Sequence, residues 1–277
     1  MSTELIHTLD AVAADMPVSW VARREYAMIL DAFRRLIYNW EHSAERRDII
    51  EEIITLRASF LCDRALTGLR IDFDRALDLL RGHNDFISER ERQQRDLLVA
   101  ALGNLVDFAV AEEFTMLREL PEEPVEDRME EYEALCERYN LIYAEVENDQ
   151  VAYAAGVAAW WLTVDAQTVV TFNTQGDERV RAWHLSHEGV SYLKHAFPAE
   201  LIPPLEWGCR CYLTAEGFGA VSGVVLSKQL RRHVDPIFRE SLATGGRIFS
   251  AAHPYFLRPL PADLQAVARA LKTRFGI

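Results

Sequence analysis

VAYAAGVAAWWLTVDAQTVVTFNT, residues 151–174, is where the chain changes its local habit. From Val151 to Leu162 the side chains are apolar, with five alanines among them, the composition of a compact helix. From Thr168 to Thr174 they turn β-branched, and Val169, Val170 and Thr171 crowd a helical turn but fit a pleated strand. A helix that ends and a strand that begins within one stretch predict an α+β chain.

Upstream, helix predominates almost to the start. Ser19 suits the N-cap of a segment in which Tyr26, Ile29, Phe33, Leu36 and Trp40 recur every three to four residues. A second helix carries Ile49, Ile53 and Leu61 on one face, with Gly68 as its stop, and a short third one runs from Phe73 to Leu80 and ends at Gly82. A fourth extends from about Phe86 to Leu120, striped by Leu98, Leu102, Leu105 and Ala109. After Leu120-Pro-Glu-Glu-Pro124 a fifth continues to about Glu147. One-striped helices pack on one another, so an N-terminal helical bundle is expected. Downstream, Gly189–Leu193 and Cys209–Thr214 read as short strands, and Gly217, Gly219, Gly223 and Gly245-Gly246 as turns. Lys228–Leu242 and Ala262–Phe275 read as helices, the last started by Pro261. The division that follows is 1–148, an acidic helical domain; 149–216, a small α+β domain with a few short strands; and 217–277, a mixed extension with helices.

A hydrophobic content of 49% against 26% charged residues is that of a folded chain, and the net charge of −13 excludes a general nucleic-acid coat. The charge is uneven. Residues 1–150 hold 17 arginines and no lysine against 33 acids, a balance of −16, whereas 151–277 hold 13 basic and 10 acidic residues, a balance of +3. Four cysteines do not make a disulfide scaffold. Cys62 and Cys136 sit in helical patterns, so only the Cys209/Cys211 pair invites chemistry. The opening MSTELIHTLD lacks a basic start and an apolar core, and the apolar run Val151–Val164 falls short of the roughly 20 residues of a spanning helix. A soluble protein in a reducing cytoplasm is expected, with no membrane partner.

The densest chemistry lies between Asp177 and Cys211. Asp177-Glu-Arg-Val-Arg-Ala-Trp-His184 is followed by Gly189, by Pro203-Pro204 and by Trp207-Gly-Cys-Arg-Cys211. In a strand Cys209 and Cys211 face one side, and in a helix His184 and His187 share one. Two thiolates with one or two imidazoles make a tetrahedral zinc site, although structural zinc usually spaces its cysteines by two to four residues. A metal-free knot is the other reading, in which Asp177 accepts hydrogen bonds from Arg181 or Arg210 and the thiols are buried. A nucleophilic cysteine with a histidine base is a third.

The order of these residues resembles the minor head proteins similar to phage Mu protein F. The residues that carry the resemblance are Asp177, Arg179, Val180, Arg181, His184, Gly189, Pro203, Pro204, Trp207, Cys209, Arg210 and Cys211, within about residues 150–215. Some relatives place a histidine just before the Cys-Arg-Cys, where this chain has Trp207-Gly208. The resemblance implies a structural job in head morphogenesis and no catalysis or small-molecule substrate. It implies portal protein and other capsid or scaffold components as partners and a link to DNA packaging or delivery. Its place would be the capsid interior or portal vertex, and the host cytoplasm during assembly. On charge grounds, basic residues of the second half, including Arg231, Arg232, Arg239 and Arg247, offer transient contact to phage DNA. The competing readings are a small nuclease or toxin-type enzyme carried on such a domain, with His233, His253, Arg247 and Tyr255 as acid, base and phosphate clamp, and an interaction adaptor without a place in the particle.

Overall fold

The computed structural model describes residues 2–82, 88–216 and 233–277, without the side chains of 2–7 and Glu216. It is predominantly helical with one small antiparallel sheet, the α+β class expected. The helices are α1 (Ser2–Asp15), α2 (Trp20–Tyr38), α3 (Ser43–Leu69), α4 (Phe73–Arg81), α5 (Glu89–Leu117), α6 (Met129–Glu137), α7 (Ala144–Thr163), α8 (Ala182–Leu185) and α9 (Ala262–Phe275). The strands are β1 (Val169–Asn173), β2 (Ser191–Leu193) and β3 (Tyr212–Glu216). Among the described residues no helix is long and apolar enough to cross a membrane.

The caps follow the local chemistry. Ser19 accepts a bond from the Ala22 amide at 3.1 Å, and Asp72 accepts one from the Arg75 amide at 2.8 Å, so each satisfies an otherwise orphaned donor of a first turn. Pro261 precedes α9, which ends on Gly276 in the left-handed region. Gly68 is not the stop of α3. It lies inside the helix, and the termination falls on Arg70, a left-handed residue with φ of 57°. There the amides of Arg70 and Ile71 close back on the carbonyls of Thr67 and Leu66.

The break expected at about Glu147 is absent. A π-helical turn at Arg138–Tyr143 joins α6 to α7, and α7 continues to Thr163, because nothing between Ala144 and Thr163 breaks a helix. The helix expected over Lys228–Leu242 lies partly outside the described residues, as do Phe86, Gly217, Gly219, Gly223, Arg231 and Arg232. In the described part, Asp235 caps a short 3₁₀ turn at Pro236–Phe238 and Ser241 caps another at Leu242–Thr244, so local side-chain bonds replace a continuous helix.

The chain divides into two compact units. The first comprises Met1–Arg64, Leu102–Asp149 and Pro254–Ile277; the second comprises Ala65–Ala101 and Gln150–His253. The first unit is helical. Ile29, Phe33, Leu36, Ile53, Leu105 and Phe108 form its dry core, and Arg34 of α2 grips Glu133 of α6 through two bonds of 2.6 and 3.0 Å. The second unit holds the sheet, in the order β2-β1-β3 with every pair antiparallel. Val170 and Phe172 of the central strand are fully buried. On its other face Thr171 meets Ser191 directly opposite, with the hydroxyls 2.8 Å apart.

Candidate metal centre

The site is built where the two ends of the motif leave the sheet of the second unit. Beyond β1 the chain turns at Gly176, left-handed at φ 66°, and Asp177 closes the turn by accepting a bond from the Arg179 amide at 3.2 Å. Arg181 then stands at the N-cap position of α8, a single turn that carries His184 into the interior, and Gly189, at φ 75°, returns the chain to β2. On the other side the Pro203–Pro204 peptide is cis, and Trp207 is buried against Phe238 and Phe249 with ring centroids 5.4 and 6.3 Å away. Gly208, at φ 66°, reverses the backbone so that Cys209 and Cys211 come back toward α8. The cysteines stand ahead of β3 rather than in it, because the pairing with β1 begins only at Tyr212.

These pieces, some 25 to 35 residues apart, close on each other by polar contacts. Asp177 accepts bonds from Arg210 Nη2 on both carboxylate oxygens, at 2.6 and 2.8 Å. Arg181 reaches the Trp207 carbonyl at 3.2 Å. Glu206 Oε1 lies 2.7 Å from Arg181 Nε and 2.9 Å from His184 Nε2, as ion pairs not aligned as hydrogen bonds. His184 Nδ1 faces Cys211 Sγ at 3.3 Å, and Tyr153 of α7 donates to the Cys211 carbonyl.

Inside this ring His184, Cys209 and Cys211 are all buried, and their three donor atoms lie within 4.8 Å of one another. A tetrahedral zinc with two thiolates and an imidazole sets its donors about 3.5 to 3.8 Å apart, a small closure from that arrangement. The donor set fits. Thiolate and imidazole suit zinc, one imidazole nitrogen faces the sulfurs, and the other faces a carboxylate that would fix the ring. His187, expected beside these ligands, is not in the group. Its helical turn ends at Leu185, and the half-buried ring instead lies 6.4 Å from that of Trp183.

The electrostatics match the geometry. Burial alone would lower the His184 pKa, but the Cys209 sulfur and the Glu206 carboxylate push it up to about 9. The sulfurs titrate as a pair. Cys209 is pulled down because Cys211 and His184 both donate to its thiolate, and Cys211 is pushed up because its thiol proton is held in that hydrogen bond, with burial and the charge of Cys209 adding to it. The Arg210 guanidinium holds the Asp177 carboxyl below the usual range. His187 is pushed down by burial and by the neighbouring His184 and His233.

The Asp177–Arg210 contact lies outside, and the three side chains that could hold a metal, His184, Cys209 and Cys211, lie within. Glu206 was missed. Its signal was an acid three residues before Cys209. None of the residues considered for acid-base work belongs to the ligand trio. His233 stacks on Trp183, His253 is buried against Trp207 and Phe249, Arg247 is exposed, and Tyr255 belongs to the first unit, where it packs on Phe108. Arg239 donates to the Val234 carbonyl at 2.9 Å. The cleft beside Arg179, Arg181, His184 and Cys211 measures about 10 Å³, room for a single water at most. Compared with known proteins, the chain matches no family model, no curated protein and no solved structure.

Proposed function

We propose that this chain is a structural, non-catalytic component of a tailed-phage head, a minor head protein acting at the portal vertex, whose second unit is clasped by zinc at His184, Cys209 and Cys211. One observation carries the reading. Residues by which the sequence resembles that class, Asp177, Arg181, His184, Trp207, Cys209, Arg210 and Cys211, contact one another around one site, with His184, Cys209 and Cys211 buried and the Asp177–Arg210 pair exposed at its rim. A site whose cleft admits one water offers a substrate no room, which favours a structural task over turnover. Zinc, when bound, supplies a cross-link between the α8 turn and the cysteine turn, and its binding energy becomes folding energy.

The test is assembly. Expressed with a portal and scaffold protein of a tailed phage, or followed through a lysate that makes particles, the chain should sediment with procapsids and portal complexes. Its absence from portal, procapsid and virion fractions would overturn the assembly reading. Elemental analysis of the protein, purified without chelator, tests the clasp separately. About one equivalent of zinc is expected, and a value far below that overturns the metal while leaving the assembly reading to its own experiment.

A further inference from the structure

The first unit carries a second concentration of chemistry, unconnected with the motif. Arg57 of α3, Glu112 and Glu113 of α5 and Glu147 of α7 are each no more than 1% exposed. Arg57 donates to Glu112 from Nε and Nη2, at 2.7 and 3.2 Å, to Glu147 Oε2 from Nη2 at 2.5 Å, and to Asn148 Oδ1 from Nη1 at 2.9 Å. One guanidinium faces three carboxylates. If all were ionised, a dry core would hold a net charge of −2, an arrangement that burial penalises heavily.

A second observation says what is missing. Glu113 Oε1, Glu147 Oε1 and Asn140 Oδ1 are buried acceptors with no hydrogen-bond donor among the described residues. Asn140 is delivered here by the π-helical turn, and its Nδ2 lies 3.4 Å from Glu113 Oε2. Among the described residues, the titratable groups nearest the cluster are Cys136 of α6, beside Glu113, and Tyr255 of the segment Pro254–Leu257, beside Glu147 and Glu112, with Tyr139 and Tyr143 of the π turn behind Tyr255. All are neutral in the ordinary pH range, Tyr139 donates to Glu119 and Tyr143 to Asp10, so none brings a compensating positive charge. Among the described residues the cluster has no second positive charge, and Glu113 Oε1 and Glu147 Oε1 receive no hydrogen bond.

We propose that this cluster is a proton-binding site that holds two protons at neutral pH, on Glu113 and Glu147, and that their loss as pH rises unlocks the core of the first unit. Two protons bring the four groups to neutrality. The proton on Glu147 is shared with the Glu112 carboxylate, which lies within hydrogen-bond reach. Turned over, the Asn140 amide sets its oxygen where the nitrogen now stands and accepts the proton of Glu113. The electrostatics run the same way. Burial, reinforced by the charge of Glu112, raises the pKa of both Glu113 and Glu147 well above the carboxylate range, while at Arg57 the Glu112 carboxylate is the largest influence opposing burial and favours the charged guanidinium.

In the unfolded chain both carboxyls ionise near their ordinary value of about 4.3. The native state therefore holds two protons that the unfolded state has released. The stability they contribute is complete at acid pH and is lost as pH rises through the folded-state values. In urea titrations of the full chain, the unfolding constant of the wild type should rise by about 100-fold more per pH unit between pH 7 and 8 than that of a Glu113→Gln, Glu147→Gln double variant, about tenfold for each proton. Either single substitution should remove about one tenfold step. Equal pH dependence in the wild type and the double variant overturns the proposal. Should the double variant not fold, the wild type decides alone. Its infrared spectrum at pH 7 should contain the C=O band of a neutral carboxylic acid that disappears on unfolding, and a folded protein without that band overturns the proposal equally.

Discussion

Alanine at Gly68 should destabilise this protein, although glycine to alanine inside a helix ordinarily does the reverse. A Cβ at Gly68 would lie 2.3 Å from the Ala152 carbonyl oxygen, 2.7 Å from the Ala155 Cβ and 3.0 Å from the Gly156 amide nitrogen of α7. Two of these neighbours are backbone, so no rotamer change relieves the contact. The better helix propensity of alanine contributes about 1 kcal/mol. Overpacking costs about 1–3 kcal/mol and sometimes more, and contact with a carbonyl at this distance belongs at the upper end. The net loss is then about 2 kcal/mol, or roughly a 30-fold larger unfolding constant. Two other helical glycines supply the contrast. At Gly156 the nearest atom to a new Cβ is 3.7 Å away, and at Gly103 it is 4.0 Å away, so alanine at either should stabilise by up to about 1 kcal/mol. Urea denaturation of the full chain, followed by circular dichroism, measures all three. If Gly68→Ala proved as stable as the wild type while Gly103→Ala showed its gain, close approach of α3 and α7 could not be why a glycine stands at position 68.

Three further outcomes follow from single sites. His253 is buried among Trp207 and Phe249, and burial pushes its pKa down to about 3, against about 6.5 in an unfolded chain. Between those values the unfolded state takes up a proton that the native state refuses. Stability should therefore fall by about 1.4 kcal/mol per unit as pH drops below 6.5, and a His253→Phe variant that keeps the same slope would refute this. On the zinc reading proposed above, Cys211→Ser and His184→Ala should each lower the zinc content found by elemental analysis to well under one equivalent, whereas Arg179→Ala, outside the ligand trio, should keep about one; an equal, non-zero content in all three would place the metal elsewhere. Trp207→Ala should cost about 3–5 kcal/mol by cavity formation. It removes a ring that is 3% exposed and holds Phe238 and Phe249, so an unchanged melting temperature would rule out that ring as an anchor.

The fold class was legible because it depends on short-range pattern. The Ile29, Phe33, Leu36 stripe and the β-branched run at Val169–Thr171 each declare their element within one or two turns of chain. The ends were less legible. Gly68 looks like a helix stop in sequence, but its reason is a neighbour more than 80 residues away, and an arginine takes the left-handed position instead. Pro236 and Ser241 announced turns that the apolar periodicity of Lys228–Leu242 outweighed. Sequence also placed the cysteines in a strand, since Cys-Arg-Cys-Tyr-Leu alternates well; pairing with β1 begins only after them.

The site divides into parts of unequal strength, and the division decides which part matters. Asp177 and Arg210 are the residues most easily paired from sequence, yet their side chains are 41% and 38% exposed. Water screens such a pair, so it orients the turn more than it stabilises it. The dry contacts are the ones that sequence left open: His184 against Cys211, Glu206 against His184, and Trp207 beneath them. In a dry setting each polar group costs more to leave unmatched and returns more when matched, so the hold on the two turns resides there. A metal at the trio would act on that inner layer, where a cross-link is not screened. Loss of one sulfur should consequently loosen the site far more than loss of the Asp177 carboxylate, even though the carboxylate makes the more regular bonds.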